Sequence, residues 1–156
     1  MCSGADPGVA LLTWFGFGLI LKSMAFTLEH VQHVRNGHPK EVGVLPDEVA
    51  RALGWPCPWV YLGKSGLAHI AAEHPDIDDF DLGWIPLAIQ SGAFIRVAKS
   101  PRTVLVTLRT ETDRYYLGAL KEAQNGTEIW VSSFYRIDQK RFAKLQSGLG
   151  VLRHHK

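Results

Sequence analysis

From residue 94 to residue 137, apolar and polar side chains alternate through four consecutive runs, and this two-residue period constrains the fold more than any other feature of the chain. Residues 94–99 form the first run, and Ser100-Pro101-Arg102 is the turn after it. In the second, Val104, Val106 and Leu108 alternate with Leu105, Thr107 and Arg109. A loop at residues 110–113 leads to the third run, residues 115–121. Gln124-Asn125-Gly126 is then a strong hairpin signal before the fourth run, residues 128–137. Strands joined by short turns pair antiparallel with their neighbours in sequence, so the expected core is a four-stranded antiparallel meander. In the fourth strand, strict alternation predicts that Ile129, Val131, Ser133, Tyr135 and Ile137 pack on helices. Trp130, Ser132, Phe134 and Arg136 then share the other, open face.

Helical signals precede the strands. Thr27 is a candidate N-cap for a short helix with Leu28, Val31 and Val34 on one stripe, ended by Asn36-Gly37 and His38-Pro39. His30 and His33 lie one turn apart there, but no third metal ligand is in place beside them. Pro46 and Asp47-Glu48 open a second helix that Gly54 closes. A strand over residues 59–62 leads into Gly63-Lys64-Ser65. The upstream glycine of a phosphate-binding loop is missing, because Pro58 stands at its position. Ser65 is therefore expected to cap a helix over residues 65–74, stopped by Pro75. On that helix Ser65, His69 and Glu73 share one face, and Leu67, Ile70, Ala71 and His74 share another. The acidic segment Asp76 to Asp81 does not have the spacing of a calcium loop, and capping and solvation are its expected roles. A further helix lies within residues 82–91, beginning at Leu82 or, because of Pro86, nearer Ile85.

A chain of 156 residues with 46% hydrophobic and 21% charged residues can build a core without a structural metal or disulfides. Cys2 and Cys57 form no spaced pattern and read as free thiols, which suits a reducing, cytoplasmic location. The apolar segment 9–21 is too short to span a bilayer, so no membrane partner is expected. The formal charge of +2 permits a nucleic-acid partner without demanding one. Basic residues, among them Arg96, Lys99, Arg109, Arg136 and Arg141, concentrate in the second half. The expected organisation is a lead-in over residues 1–58, a principal domain over 59–150 and a basic tail over 151–156.

His69, Ile70 and His74 in a helical His-Ile-x-x-x-His, Ile85-Pro86 in the next helix, and Val131-Ser132-Ser133-Phe134-Tyr135 in the last strand resemble the phage-associated members of the barnase–EndoU–colicin–RelE nuclease superfamily. The resemblance covers roughly residues 59–150. It implies an α+β fold in which N-terminal helices pack on the four-stranded antiparallel meander. It also implies a metal-independent endoribonuclease with a toxin-like or phage-encoded role, acting on RNA such as tRNA or mRNA without a cofactor, and held in check by a cognate inhibitor protein. Carried over by position, the helix histidine is His69 or His74 and the strand hydroxyl is Ser132, where the family often has threonine.

RNA carries its own nucleophile, the 2′-hydroxyl. Its transesterification needs a base, an acid and cations around the charged phosphorane. Histidine titrates near neutral pH, and arginine presents donors that fit phosphate oxygens. The candidate catalytic residues are therefore His69, His74, Ser132, Arg136 and Tyr135. The candidate substrate-binding residues are Arg96, Lys99, Arg109, Trp130 and Phe134. Two readings compete: an RNA- or protein-binding module of the same fold without cleavage, and a metal-dependent hydrolase that uses the aspartate segment with His74.

Overall fold

The computed structural model describes residues 26–148 and 150–154. The alternating runs become strands, and they are joined by others into one sheet of seven strands in the order β1-β2-β6-β5-β4-β3-β7. In chain order the elements are α1 (Leu28–Arg35), β1 (Lys40–Val44), α2 (Asp47–Leu53), β2 (Trp59–Leu62) and α3 (Lys64–Glu73). Then come α4 (Asp79–Leu82), α5 (Ile85–Ser91), β3 (Ala93–Arg96), β4 (Thr103–Arg109), β5 (Tyr115–Glu122), β6 (Ile129–Ile137), α6 (Gln139–Gln146) and β7 (Val151–Arg153). The class is α+β.

The sheet is mixed and is not confined to a four-stranded antiparallel meander. β3 to β6 do form an antiparallel meander, with Val106 opposite Gly118 and Gly118 opposite Phe134. The hairpin β1–β2 extends it at one edge, where β2 runs parallel to β6. β7 adds an antiparallel strand on the other side of β3. Both added edges are short or irregular strands, which weakens the two-residue signal that announced the central four.

One face of the sheet carries the core. Val104, Val106, Leu108, Tyr116, Leu120, Ile129, Val131 and Phe134 are buried together with Val31, Val34, Leu67, Ile70, Ile85 and Ile89 from the helices. The stripe expected on α1 is therefore met by Val31 and Val34, but Leu28 is 65% exposed and lies off it. On the opposite face α6 is held by Phe142 against Tyr115, with ring centroids 4.9 Å apart, and by Gln146, which donates to the Thr107 hydroxyl at 2.7 Å.

The junction of β2, α3 and β6 positions the site. β2 pairs with β6 only at Val60–Ile129 and Tyr61–Trp130. The chain then turns at Gly63 into α3, which continues beside β6 where a strand would otherwise lie. The approach is close: a Cβ on Gly66 would stand 2.3 Å from the Val131 carbonyl oxygen, so a side chain there would push helix and strand apart. Gly63, not Ser65, is the N-cap of α3, with φ −112° and ψ 170°, and Ser65 lies inside the first turn.

β6 carries a bulge. Its pairing with β5 steps from Leu120–Val131 to Ala119–Ser133 and leaves Ser132 as the extra residue. The Ser132 hydroxyl donates to the Ala119 carbonyl at 3.1 Å. The extra residue inverts the alternation beyond it. Ile129 and Val131 face the helices before the bulge, whereas Phe134 and Arg136 do so after it, and Tyr135 turns to the face of Trp130. The strict alternation expected for this strand is thus correct only up to Val131.

Cys57 is disulfide-bonded, so the expectation of free thiols fails at that residue. Cys2 and the apolar segment 9–21 lie outside the described residues. Among the described residues, no helix is long and apolar enough to cross a membrane.

Candidate functional site

α3 begins without a side-chain cap and with no acidic residue in its first turn. Its first intrahelical bond that reaches back to the cap is from the Leu67 amide to the Gly63 carbonyl, at 3.0 Å. The amides of Lys64, Ser65 and Gly66 precede that bond and lie at the positive end of the helix dipole. One turn along the same stripe from Ser65 stands His69, exposed and without a hydrogen-bonding partner from Glu73.

β6 and β5 supply the opposing wall. An open cleft of about 450 Å³ is lined by Ser65, Gly66 and His69 from α3, by Trp130, Val131 and Ser132 from β6, and by Lys121 and Glu122 at the end of β5. Lys121 is directly opposite Trp130 in the β5–β6 register. The Trp130 ring packs over Gly63, whose Cβ would lie 2.9 Å from it, and meets the Tyr61 ring at 5.7 Å. The cleft therefore combines an imidazole, two hydroxyls, an ammonium group, a carboxylate and an indole beside the first turn of α3. Of the residues the sequence nominates, it brings together His69, Ser132 and Trp130.

Further along the seam His74, the C-cap of α3, stacks on Tyr135 with centroids 4.1 Å apart and planes 12° from parallel. Arg141 in the first turn of α6 donates to the Tyr135 hydroxyl at 3.0 Å, with its guanidinium 5.5 Å from the ring centroid. His74 and Tyr135 thus belong together, outside the lining of the cleft.

Arg136 goes elsewhere, for the bulge turns it to the helix side of the sheet. There it donates to both oxygens of Asp81, at 2.8 and 2.7 Å. Asp81 is wholly buried and also accepts from the Tyr116 hydroxyl at 2.6 Å and the Asp78 amide at 3.0 Å. Burial alone would raise the Asp81 pKa, but the bonds from Tyr116, Asp78 and Arg136 together hold it below the usual carboxylate range. Burial, reinforced by the adjoining Asp81 carboxylate, pushes the Tyr116 hydroxyl up. The hydrogen bond to Asp81 likewise holds Arg136 in its charged form.

The remaining nominated residues lie away from the cleft. Phe134 is 1% exposed and stacked on Tyr116 with centroids 5.0 Å apart, so it is a core residue and offers no face to a ligand. Arg96 lies on β3, three strands from β6, and donates to the Ala52 carbonyl. Lys99 is exposed in the turn after β3. Arg109 is paired with Asp113 at 2.8 Å. The acidic segment is structural in part: Asp78 caps α4 by accepting from the Asp81 amide, and Asp79 takes a forked pair of bonds from Arg35. The His30 ring accepts from the Thr27 amide at 3.1 Å and closes the start of α1. Among the described residues, no group of three or more His, Cys, Asp or Glu side chains is arranged to hold a metal ion.

Sequence reasoning missed Lys121 and Arg141. Lys121 had a usable signal, since the hairpin at Gln124-Asn125-Gly126 brings the end of one strand opposite the start of the next. Arg141 had none, because its neighbour Tyr135 reaches it only through the inverted alternation. Comparison with family models, with curated proteins and with solved structures finds no match to this chain.

Proposed function

We propose that the protein is a metal-independent endoribonuclease that cleaves RNA at the cleft between α3 and β6. The observation that carries this reading is the convergence of His69, Ser65, Ser132 and Lys121 on one open cleft with Trp130 at its wall. A phosphodiester seated there meets the Ser65 hydroxyl and the ammonium of Lys121. His69 takes the proton from the 2′-hydroxyl, whose oxygen forms a new bond to phosphorus while the bond to the 5′-oxygen breaks. Lys121 meets the charge that develops on that leaving oxygen, which takes a proton from water in the open cleft and departs as a hydroxyl, while His69 returns the proton it took to solvent. The Trp130 indole stacks on a neighbouring base. Arg136 and Phe134 have no part in these steps, because one is bound to Asp81 and the other is buried.

Such an enzyme fits a toxin-like, phage-encoded or delivered role with a cognate inhibitor protein. The Cys57 disulfide favours the delivered form, since disulfides persist in oxidising compartments. The test is incubation of the protein with total RNA and with tRNA in excess EDTA, followed by analysis of the new ends. The expected products carry 2′,3′-cyclic phosphate and 5′-hydroxyl termini. Intact RNA after incubation with folded protein, with and without magnesium, would remove the nuclease reading.

One observation favours a second reading. Arg136 and Arg109, both expected to meet phosphate, are instead paired with Asp81 and Asp113. A module that binds RNA without cutting it requires less local positive charge at a reacting phosphate. It would show affinity that weakens with salt and no new termini.

A further inference from the structure

We infer that Arg141, held by Tyr135 beside His74, is a second phosphate-binding point for the RNA strand, one step along the seam from the cleft. This rests on the endoribonuclease reading and adds to it a substrate class: a single-stranded segment longer than the cleaved dinucleotide.

The geometry of α3 and β6 sets the path. α3 approaches β6 at Gly66 and Val131, and its C-cap His74 meets Tyr135. From Gly66 to His74 eight residues of helix at about 1.5 Å each advance ~12 Å, and from Val131 to Tyr135 the bulged strand spans three residues of β5, ~10 Å at about 3.3 Å each, so the two elements run side by side with the same polarity. Trp130, which lines the cleft, and Tyr135, which holds Arg141, share one face of β6, so the cleft and the Arg141 cluster lie along the same strand.

Arg141 is built into place and left available. Asp138 caps α6 by accepting from the Arg141 amide at 2.7 Å, and Phe142 anchors the same turn on Tyr115. The Tyr135 hydroxyl takes one bond from the guanidinium, which has five N–H donors in all. Among the described residues Arg141 has no carboxylate at ion-pair distance, in contrast to Arg35, Arg109, Arg136 and Arg153. The side chain is exposed, and Lys140 and Lys144 on the same helix are exposed as well. A guanidinium fixed by an aromatic hydroxyl, with donors facing solvent, suits a phosphate oxygen. A duplex would keep its bases stacked inside and away from Trp130, whereas a single strand can offer a base there and a phosphate to Arg141.

The experiment uses the His69→Ala protein, which keeps RNA intact, and fluorescence anisotropy with labelled single-stranded oligonucleotides over a range of salt. Adding Arg141→Ala is expected to weaken binding of a long oligonucleotide roughly tenfold and to flatten the slope of log affinity against log salt by about 0.7, the share of one phosphate on a single strand. Arg141→Lys is expected to keep the slope and recover part of the affinity. A dinucleotide, too short to reach Arg141, is expected to bind both proteins equally. Unchanged affinity and slope for the long oligonucleotide would overturn the inference while leaving His69-dependent cleavage, and so the nuclease reading, untouched. An equal loss for the dinucleotide would also overturn it, because a general distortion of the fold would then be the cause. No binding of any RNA by the parent protein would overturn both.

Discussion

β6 presents two polar groups of opposite character on its two faces. On the helix side, Asp81, Tyr116 and Arg136 form a closed set in which the buried carboxylate accepts bonds on both oxygens. On the other side His69, Lys121 and Ser65 line an open cleft, and only Ser132 is tied to the backbone there. The same strand thus borders a buried carboxylate whose bonding capacity is used within the fold, and a group whose capacity is left to a ligand. The bulge at Ser132 separates the two, because it sends Arg136 to the first and leaves Trp130 with the second. A charged residue nominated by type alone can fall on either side, and its partners decide which.

The largest expected effect is on the open side. His69→Ala should lower RNA cleavage by roughly a hundred- to ten-thousandfold, the usual contribution of a positioned acid or base, while leaving thermal stability within about 0.5 kcal/mol. Single-turnover cleavage and a thermal melt of the same sample check both halves. On the closed side, Asp81→Ala should cost about 1–3 kcal/mol of stability, because it leaves the buried Tyr116 hydroxyl without its acceptor, whereas the part-exposed Arg136 can turn to water. Chemical denaturation with the midpoint and slope both measured checks this.

The closed set also sets a pH dependence. The Asp81 pKa is lower in the fold than in the unfolded chain, so the unfolded state binds the proton more readily. Its contribution is complete well above the unfolded carboxylate value of about 3.9 and is lost as pH falls through the lower folded value. Asp81→Asn should therefore flatten the acid limb of a stability–pH curve. An acid limb that is the same in both proteins would assign the transition to other carboxylates. The smallest effect is at Lys121. Lys121→Ala should lower cleavage by about tenfold, as expected for loss of one charge-assisted hydrogen bond, with no change in the melt.

Much of this comparison could be read from residues, and the misplaced residues of β6 share one cause. The meander from Ala93 to Ile137 follows from period-two runs separated by turn residues, and Gly126 does adopt the left-handed φ of 70° its hairpin requires. α2 is closed by Gly54 at φ 69° as its position implied. His69, Ser132 and Trp130 do converge. The bulge was not legible, since an extra residue in β6 shows only in its register against β5 and leaves no mark on the local pattern. Every misplaced residue of β6 follows from it: Phe134 and Arg136 to the helix side, Tyr135 to the face of Trp130. The edge strands β1 and β7 were missed for another reason. β7 is held by pairing with β3, distant in sequence, and a run as short as Val151–Arg153 carries no period of its own, while β1 is irregular, with a register shift between Glu41 and Gly43 in its pairing with β2. Ser65 lost the cap to Gly63 because the close packing of Trp130 on that glycine fixes where β2 ends and α3 begins.

The most direct test of the account places wild-type, His69→Ala and Asp81→Asn proteins side by side, with RNA cleavage in EDTA and unfolding free energy measured on each. The predicted result is a crossed pattern: His69→Ala loses cleavage and keeps stability, whereas Asp81→Asn loses stability and, at a temperature where it remains folded, keeps cleavage. Cleavage that survives in His69→Ala and disappears from folded Asp81→Asn would place the chemistry on the helix side of the sheet and contradict the account.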